Sequence, residues 1–330
     1  MTDRAAPVRS AAVLSDPQTL STTPAVLAAT ATPQEVRAGR APGAGGPARA
    51  RRASSGRPGR RGRSHVVPHL VLGVGGFLMA FPFLWQIIMS LSTNAEVQSV
   101  TPNLWPAELQ WQNYVAVFER LPFLDQLRTS VVVTVVRTVA QIVLCTLAGY
   151  AFARMRFRGS GVLLAVILSI LMVPSQVYLI SQYQIVQELG WLDTVAGIVA
   201  PGLFSAFGTF LMRTAFLALP AELEEAARLD GANPFQVFWR VMLPLAVPSI
   251  SVLAITTVLW SWNELLWPLV VSTYSDRMPL SAGLATLIGD KTTDYPVVMA
   301  ASLLAMAPVL IAFVVLQRRV IDGLATSGLK

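Results

Sequence analysis

Residues 219–250 read LPAELEEAARLDGANPFQVFWRVMLPLAVPSI, from Leu219 to Ile250. Pro220 stands where a helix begins, because the first helical turn has no use for its missing N–H. Glu222, Glu224 and Glu225 follow in the turns where carboxylates favour the positive end of the helix dipole. Gly231 stops the helix, since glycine enters the left-handed conformation without a Cβ clash. Asn233 then caps a second helix with Pro234 at its first position. Phe235, Phe238, Trp239 and Met242 recur at i, i+3, i+4 and i+7, which predicts one apolar stripe on that helix. The stripe suits a groove on another protein, and equally a face packed on the chain's own helices. Pro244 and Pro248 interrupt the chain before the next apolar run.

Outward from this stretch the chain is apolar. Of 330 residues, 54% are hydrophobic and only 13% charged, and the mean hydropathy is +0.56. Soluble domains carry about 25% charged residues, so this chain has too little polar surface to cover a soluble fold. Six apolar segments, at 66–91, 129–154, 161–184, 194–216, 246–270 and 297–317, are each near or above the ~20 residues a helix needs to cross hydrocarbon. The expectation is an all-α membrane protein with six transmembrane helices in residues 65–330.

The charge is uneven. Residues 1–64 hold 11 Arg and 3 acids, so the tail carries +8 and the remainder −1. The tail is rich in Ala, Pro, Gly, Ser and Arg and poor in large apolar residues, which predicts a disordered, basic cytoplasmic extension. The high pI therefore argues for no nucleic-acid partner. With the N-terminus inside, the inner flanks of the six segments hold 12 basic residues and the outer loops 4. That bias places both termini in the cytoplasm and the 219–245 loop on the cytoplasmic side.

Several chemistries lack raw material. Cys145 is the single cysteine, and His65 and His69 are the only histidines, so no metal site is expected. No G-x-x-x-x-G-K-[ST] phosphate loop occurs, and no nucleophile–base arrangement suggests an enzyme. Away from the flanks, two charges fall inside apolar segments, Arg137 and Glu264, each roughly 9–12 Å below the outer surface at 1.5 Å per residue. Similar depth lets them pair, or line a polar path with Trp262 and Asn263.

Glu225-Ala226-Ala227, three residues, Gly231, nine residues, then Val241-x-Leu243-Pro244 resembles the EAA motif of bacterial ABC importer permeases, with Val241 in place of the usual Ile. The longer run from Glu225 through Asp230 to Ala232 is similar to the maltose-type sugar permeases. YAFARMRF (150–157), MVP (172–174), LGWLDT (189–194), WNELLWP (262–268) and QRR (317–319) with Gly323 and Gly328 resemble further landmarks of that family. Ser181 stands where relatives often have Pro. The resemblance covers 66–330 and implies a type I (MetI-like) transmembrane domain. It implies a coupling loop, 219–245, that docks on a cytoplasmic ATPase through Glu225, Ala226, Ala227, Asp230, Gly231, Phe235, Phe238, Trp239, Leu243 and Pro244. It further implies a second homologous permease subunit, two ABC ATPase subunits that hold ATP and Mg, an extracytoplasmic solute-binding protein, and a carbohydrate cargo. Another solute, or a self-contained secondary transporter marked by repeated broken helices, is the competing reading.

Overall fold

The computed structural model describes residues 66–101, 104–289 and 293–327. The expected tail, His65 and the last three residues lie outside them. No strand occurs among the described residues. The first apolar run forms α1 (Val66–Ser90), followed by two short helices, α2 (Asn94–Val97) and α3 (Gln112–Arg120). The second forms α4 (Phe123–Arg154), which starts six residues before the expected span. These extra residues are half polar, so hydropathy alone misses a helix end standing beyond the apolar zone.

The third, fourth and fifth runs are not single rods. Residues 160–188 form α5 (Ser160–Ser169) and α6 (Leu179–Glu188), with 3₁₀ turns between them and a 97° bend at Val173–Pro174. The fourth run forms α7 (Val195–Val199), a 3₁₀ turn at Ala200–Gly202 and α8 (Ala206–Ala218), bent by 44°. The loop that follows holds α9 (Glu222–Leu229), α10 (Pro234–Gln236), a π-helical turn (Val237–Met242) and α11 (Leu243–Leu245). A 71° bend leads into α12 (Val247–Asn263), and the chain breaks again at Glu264–Leu265 before α13 (Leu266–Val271). Then come α14 (Leu280–Ala285) and α15 (Tyr295–Ser327). The six apolar runs are all helical, but three bend because Pro174 and Pro201 remove backbone donors and Glu264 takes an extended conformation.

Helix α4 is the hub and packs on α7, α8, α12 and α14. Small residues let it come close. A Cβ on Gly149 would lie 2.6 Å from Met212 Cβ, and one on Gly208 3.0 Å from Cys145 Sγ. Such contacts bind helices where lipid supplies no hydrophobic drive between them. Three apolar clusters result. One joins Val117, Phe123, Leu280 and Val297 at the Phe123 end of α4. A second joins Val133, Ile198 and Trp267 midway. The third joins Met212, Phe216, Phe238 and Met242 at the Arg154 end, under the 219–245 loop. Leu70, Leu72 and Met79 of α1 are exposed, as expected of a face turned to lipid or to another membrane subunit.

Candidate coupling loop and intramembrane cavity

The loop is built as its residues dictate. Helix α9 ends in a Schellman arrangement: Gly231, at φ +86°, donates its N–H to Arg228 O, and Ala232 donates to Ala227 O, each at 3.0 Å. Asn233 and Gln236 form a reciprocal capping box, each side chain accepting from the other's backbone N–H at 2.8–2.9 Å. Asp230 caps α9, and Glu225 and Ala226 face outward from it, while Ala227 is partly buried against the cluster beneath.

The expected single stripe is divided. Phe235 is 69% exposed and Trp239 also faces out, whereas Phe238 is 5% exposed and Met242 is buried. A stripe about 100° wide straddles the boundary of the chain, so one edge enters the core and the other stays free. Phe238 packs at 4.8 Å against Tyr150 with the rings tilted by 54°, and Tyr150 also meets Phe216 edge-on at 5.3 Å. Leu243 joins the same core and Pro244 is exposed. Phe238 therefore serves the core, with about 2–3 kcal/mol of hydrophobic stabilisation from a side chain of its size.

Beside Glu225, its neighbour Glu224 points the other way and is buried. It meets Arg154 Nε and Arg228 Nη2 at 3.4 Å each. Arg154 also donates to the carbonyls of Phe216, at 2.7 Å, and Leu219 at the end of α8. One guanidinium thus ties the end of α4, the end of α8 and the start of α9 together. Sequence reasoning missed this clamp. Its signal was Glu224–Arg228 at i,i+4 and an arginine ending a long apolar run.

The second candidate site lies midway along α4. Arg137 is 14 residues, about 21 Å, from Phe123 and about 26 Å from Arg154, which places it midway along α4. Its guanidinium pairs with Glu264 and donates to Ile198 O at the end of α7. One turn along, Gln141 donates to Gly202 O at 2.7 Å and accepts from Thr257 at 2.9 Å. A Cβ on Gly202 would lie 2.6 Å from Arg137 Nε, so only glycine admits this approach. The two polar side chains thus satisfy carbonyls that the broken fourth run leaves outside a helical ladder. Ser281 does the same for Glu264 O.

Arg137, Asn263 and Glu264 line one cavity of about 390 Å³ with Gln141, Thr257, Trp260 and Ser261. Trp262, expected there, faces the other side of α12, where its indole donates to Ala305 O at 3.2 Å. Two residues along a helix turn a side chain by about 200°, so one of Trp260 and Trp262 faces away. Among the described residues no cluster of His, Cys, Asp and Glu is arranged to hold a metal.

Residues 141–325 match the family of binding-protein-dependent transport system inner membrane components. The chain belongs to that family. It is 32% identical over 257 residues to the arabinooligosaccharides transport system permease protein AraQ of Halalkalibacterium halodurans, covering 77% of this chain and 92% of that one. It is also 32% identical over 270 residues to the sn-glycerol-3-phosphate transport system permease protein UgpE of Brucella suis, covering 79% and 96%. The crystal structure of a bacterial ABC transporter that imports the acidic polysaccharide alginate superposes with a TM-score of 0.67 at 27% identity, over 78% of this chain and 97% of that one. The chain is thus an ABC importer permease with the type I transmembrane architecture. Broken helices, taken from the sequence as a mark of secondary transporters, occur here in an importer permease.

Proposed function

We propose that this chain is one of two homologous permease subunits that together move a carbohydrate inward across the cytoplasmic membrane. In this reading two cytoplasmic ABC ATPase subunits hold ATP and Mg, an extracytoplasmic protein delivers the solute, and this subunit itself catalyses nothing. Residues 1–64 are a cytoplasmic tail on a 65–330 transmembrane domain, and both termini are cytoplasmic. Lipid or the second permease covers the exposed flanks of α1.

The observation that carries the reading is the loop of two short helices joined at Gly231. It presents Glu225, Phe235 and Trp239 outward on a base held by the buried Glu224–Arg154 clamp. An apolar, acid-edged knob on a stiff base suits a cleft on a partner that closes with ATP. Asp230 and Gly231 set the angle between its two halves, and Ala226 and Ala227 allow close approach on either side of α9. The cargo class is supported by relatives named for oligosaccharides and a polyol phosphate, and by a cavity lined with hydroxyl, amide and indole groups.

Co-expression with an ABC ATPase and a solute-binding protein from the same genome tests the reading. The expected result is a complex that hydrolyses ATP faster when its loaded binding protein is added, with a sugar recovered from that protein. Recovery of an amino acid or a metal chelate would overturn the cargo class. Failure of any ATPase to co-purify would overturn the coupling role.

A further inference from the structure

We propose that the Arg137–Glu264 ion pair is a gate that a neutral polyhydroxylated solute opens by taking the place of the direct contact. The proposal rests on the permease reading and adds a solute site to it. Two cavities meet at this pair. The 390 Å³ cavity, lined by Gln141, Thr257, Trp260 and Ser261, lies on the side toward the 219–245 loop. A second, of about 160 Å³, is lined by Tyr178, Gln182, Gly202 and Trp267 on the far side. Arg137 and Glu264 line both, and no other residue does. The pair is the wall between them.

The two halves of the wall are held differently. Arg137 is 6% exposed and fixed by Ile198 O and by the close backbone of Gly202. Glu264 is 32% exposed and sits in the extended break between α12 and α13. Glu264 is therefore the half that moves. The larger cavity is within the ~300–1,000 Å³ usual for small-molecule sites and the smaller one is not, so a solute held in the larger one passes on only when the wall opens.

Donor and acceptor chemistry selects the solute. A guanidinium only donates hydrogen bonds and an ionised carboxylate only accepts them. A vicinal diol does both, accepting from Arg137 and donating to Glu264, so the pair can separate without leaving either charge unpaired. A solute without hydroxyls would separate the two charges and give neither a new partner. An anionic solute would satisfy Arg137 and repel Glu264. Apart from the pair, both linings are uncharged, and each has an aromatic ring against which a sugar face can lie.

The test uses the whole importer in proteoliposomes, with Cys145→Ser to remove the native thiol. Ser261→Cys and Gln182→Cys each report on one cavity, and a membrane-impermeant maleimide is applied to either face. With the pair intact, each cysteine should react from one face only. Adding Glu264→Ala should make both react from both faces; unchanged one-sided labelling would overturn the gate. A second measurement needs no gate variant. Arabinotriose or maltotriose should slow labelling of the cysteine at 261 by about tenfold, the effect of occupying a site well above its Kd. Protection by glycerol 3-phosphate alone, or by none of the three, would overturn the solute class. ATP hydrolysis stimulated by the binding protein reads the permease reading separately. Its presence alongside a failed labelling result rejects the gate and leaves the subunit's role standing.

Discussion

Arg137 and Arg154 stand on one helix, 17 residues apart, and each meets a glutamate from the later half of the chain. The resemblance ends there. Arg154 faces a buried carboxylate at ion-pair distance and donates from Nη2 to two carbonyls at the close of α8, so it is held from two elements at once. Arg137 is also fastened, but its carboxylate hangs at a helix break beside open space. In the proposed reading the first arrangement would transmit a push and the second would yield to one. A membrane subunit driven from its cytoplasmic side needs both, a stiff joint where force enters and a compliant one where the solute passes.

The sharpest way to break this contrast is to remove each arginine. Arg154→Ala leaves Glu224 buried beside a partly solvated Arg228 and strips two carbonyls of their donor. The expected loss is about 3–5 kcal/mol, the usual effect of orphaning a buried charge, read as a collapse in yield and thermal stability of the purified complex. Arg137→Ala should destabilise less, about 2 kcal/mol, because Glu264 reaches solvent, yet abolish coupled uptake while ATP hydrolysis continues. If Arg137→Ala is the less stable of the two, the division into stiff and compliant joints is wrong.

Gly231→Val probes the stiff joint from its far side. Nothing lies within 4 Å of the added Cβ, so the effect is the backbone alone at φ +86°. A β-branched residue there costs about 1–2 kcal/mol and should change the angle between the two short helices. The subunit should insert normally and uptake should fall; uptake near wild type would remove Gly231 from the coupling path. The smallest effect is expected from deleting residues 2–55, which leaves Arg57, Arg60, Arg61 and Arg63 to hold orientation. Insertion and uptake should stay unchanged, with stability within ~0.5 kcal/mol, and a loss would give the tail a role of its own.

Much of this was legible in the sequence, and the parts that were not share a cause. Local signals read well: the first apolar run is helical, Gly231 takes the left-handed turn, and Asn233 caps as its type suggests. Arg137 and Glu264 were visible because a charge in an apolar run is conspicuous. Their pairing needed the fold, since 127 residues separate them. Hydropathy drew the third, fourth and fifth runs as unbroken rods because it measures composition, whereas a break depends on who satisfies the freed backbone. Gln141 shared a helix face with Arg137 in plain view, but its partner Gly202 O exists only once α7 has folded beside α4. Trp262 stands beside Asn263 in the sequence, but the helical turn puts Trp260, not Trp262, in the cavity. Glu224 was passed over for Glu225 because a motif marks residues, not the faces they occupy.

The interruptions around Arg137 carry one more consequence. Ile198 O, Gly202 O and Glu264 O are satisfied by side chains, from Arg137, Gln141 and Ser281, and not by a continuous helical ladder. A ladder is set by the backbone, the same in every sequence. A seam sewn by three side chains has a looseness that single codon changes can adjust. Lineages carrying different cargoes can therefore diverge at these few stitches while the frame that meets the ATPase stays as it is.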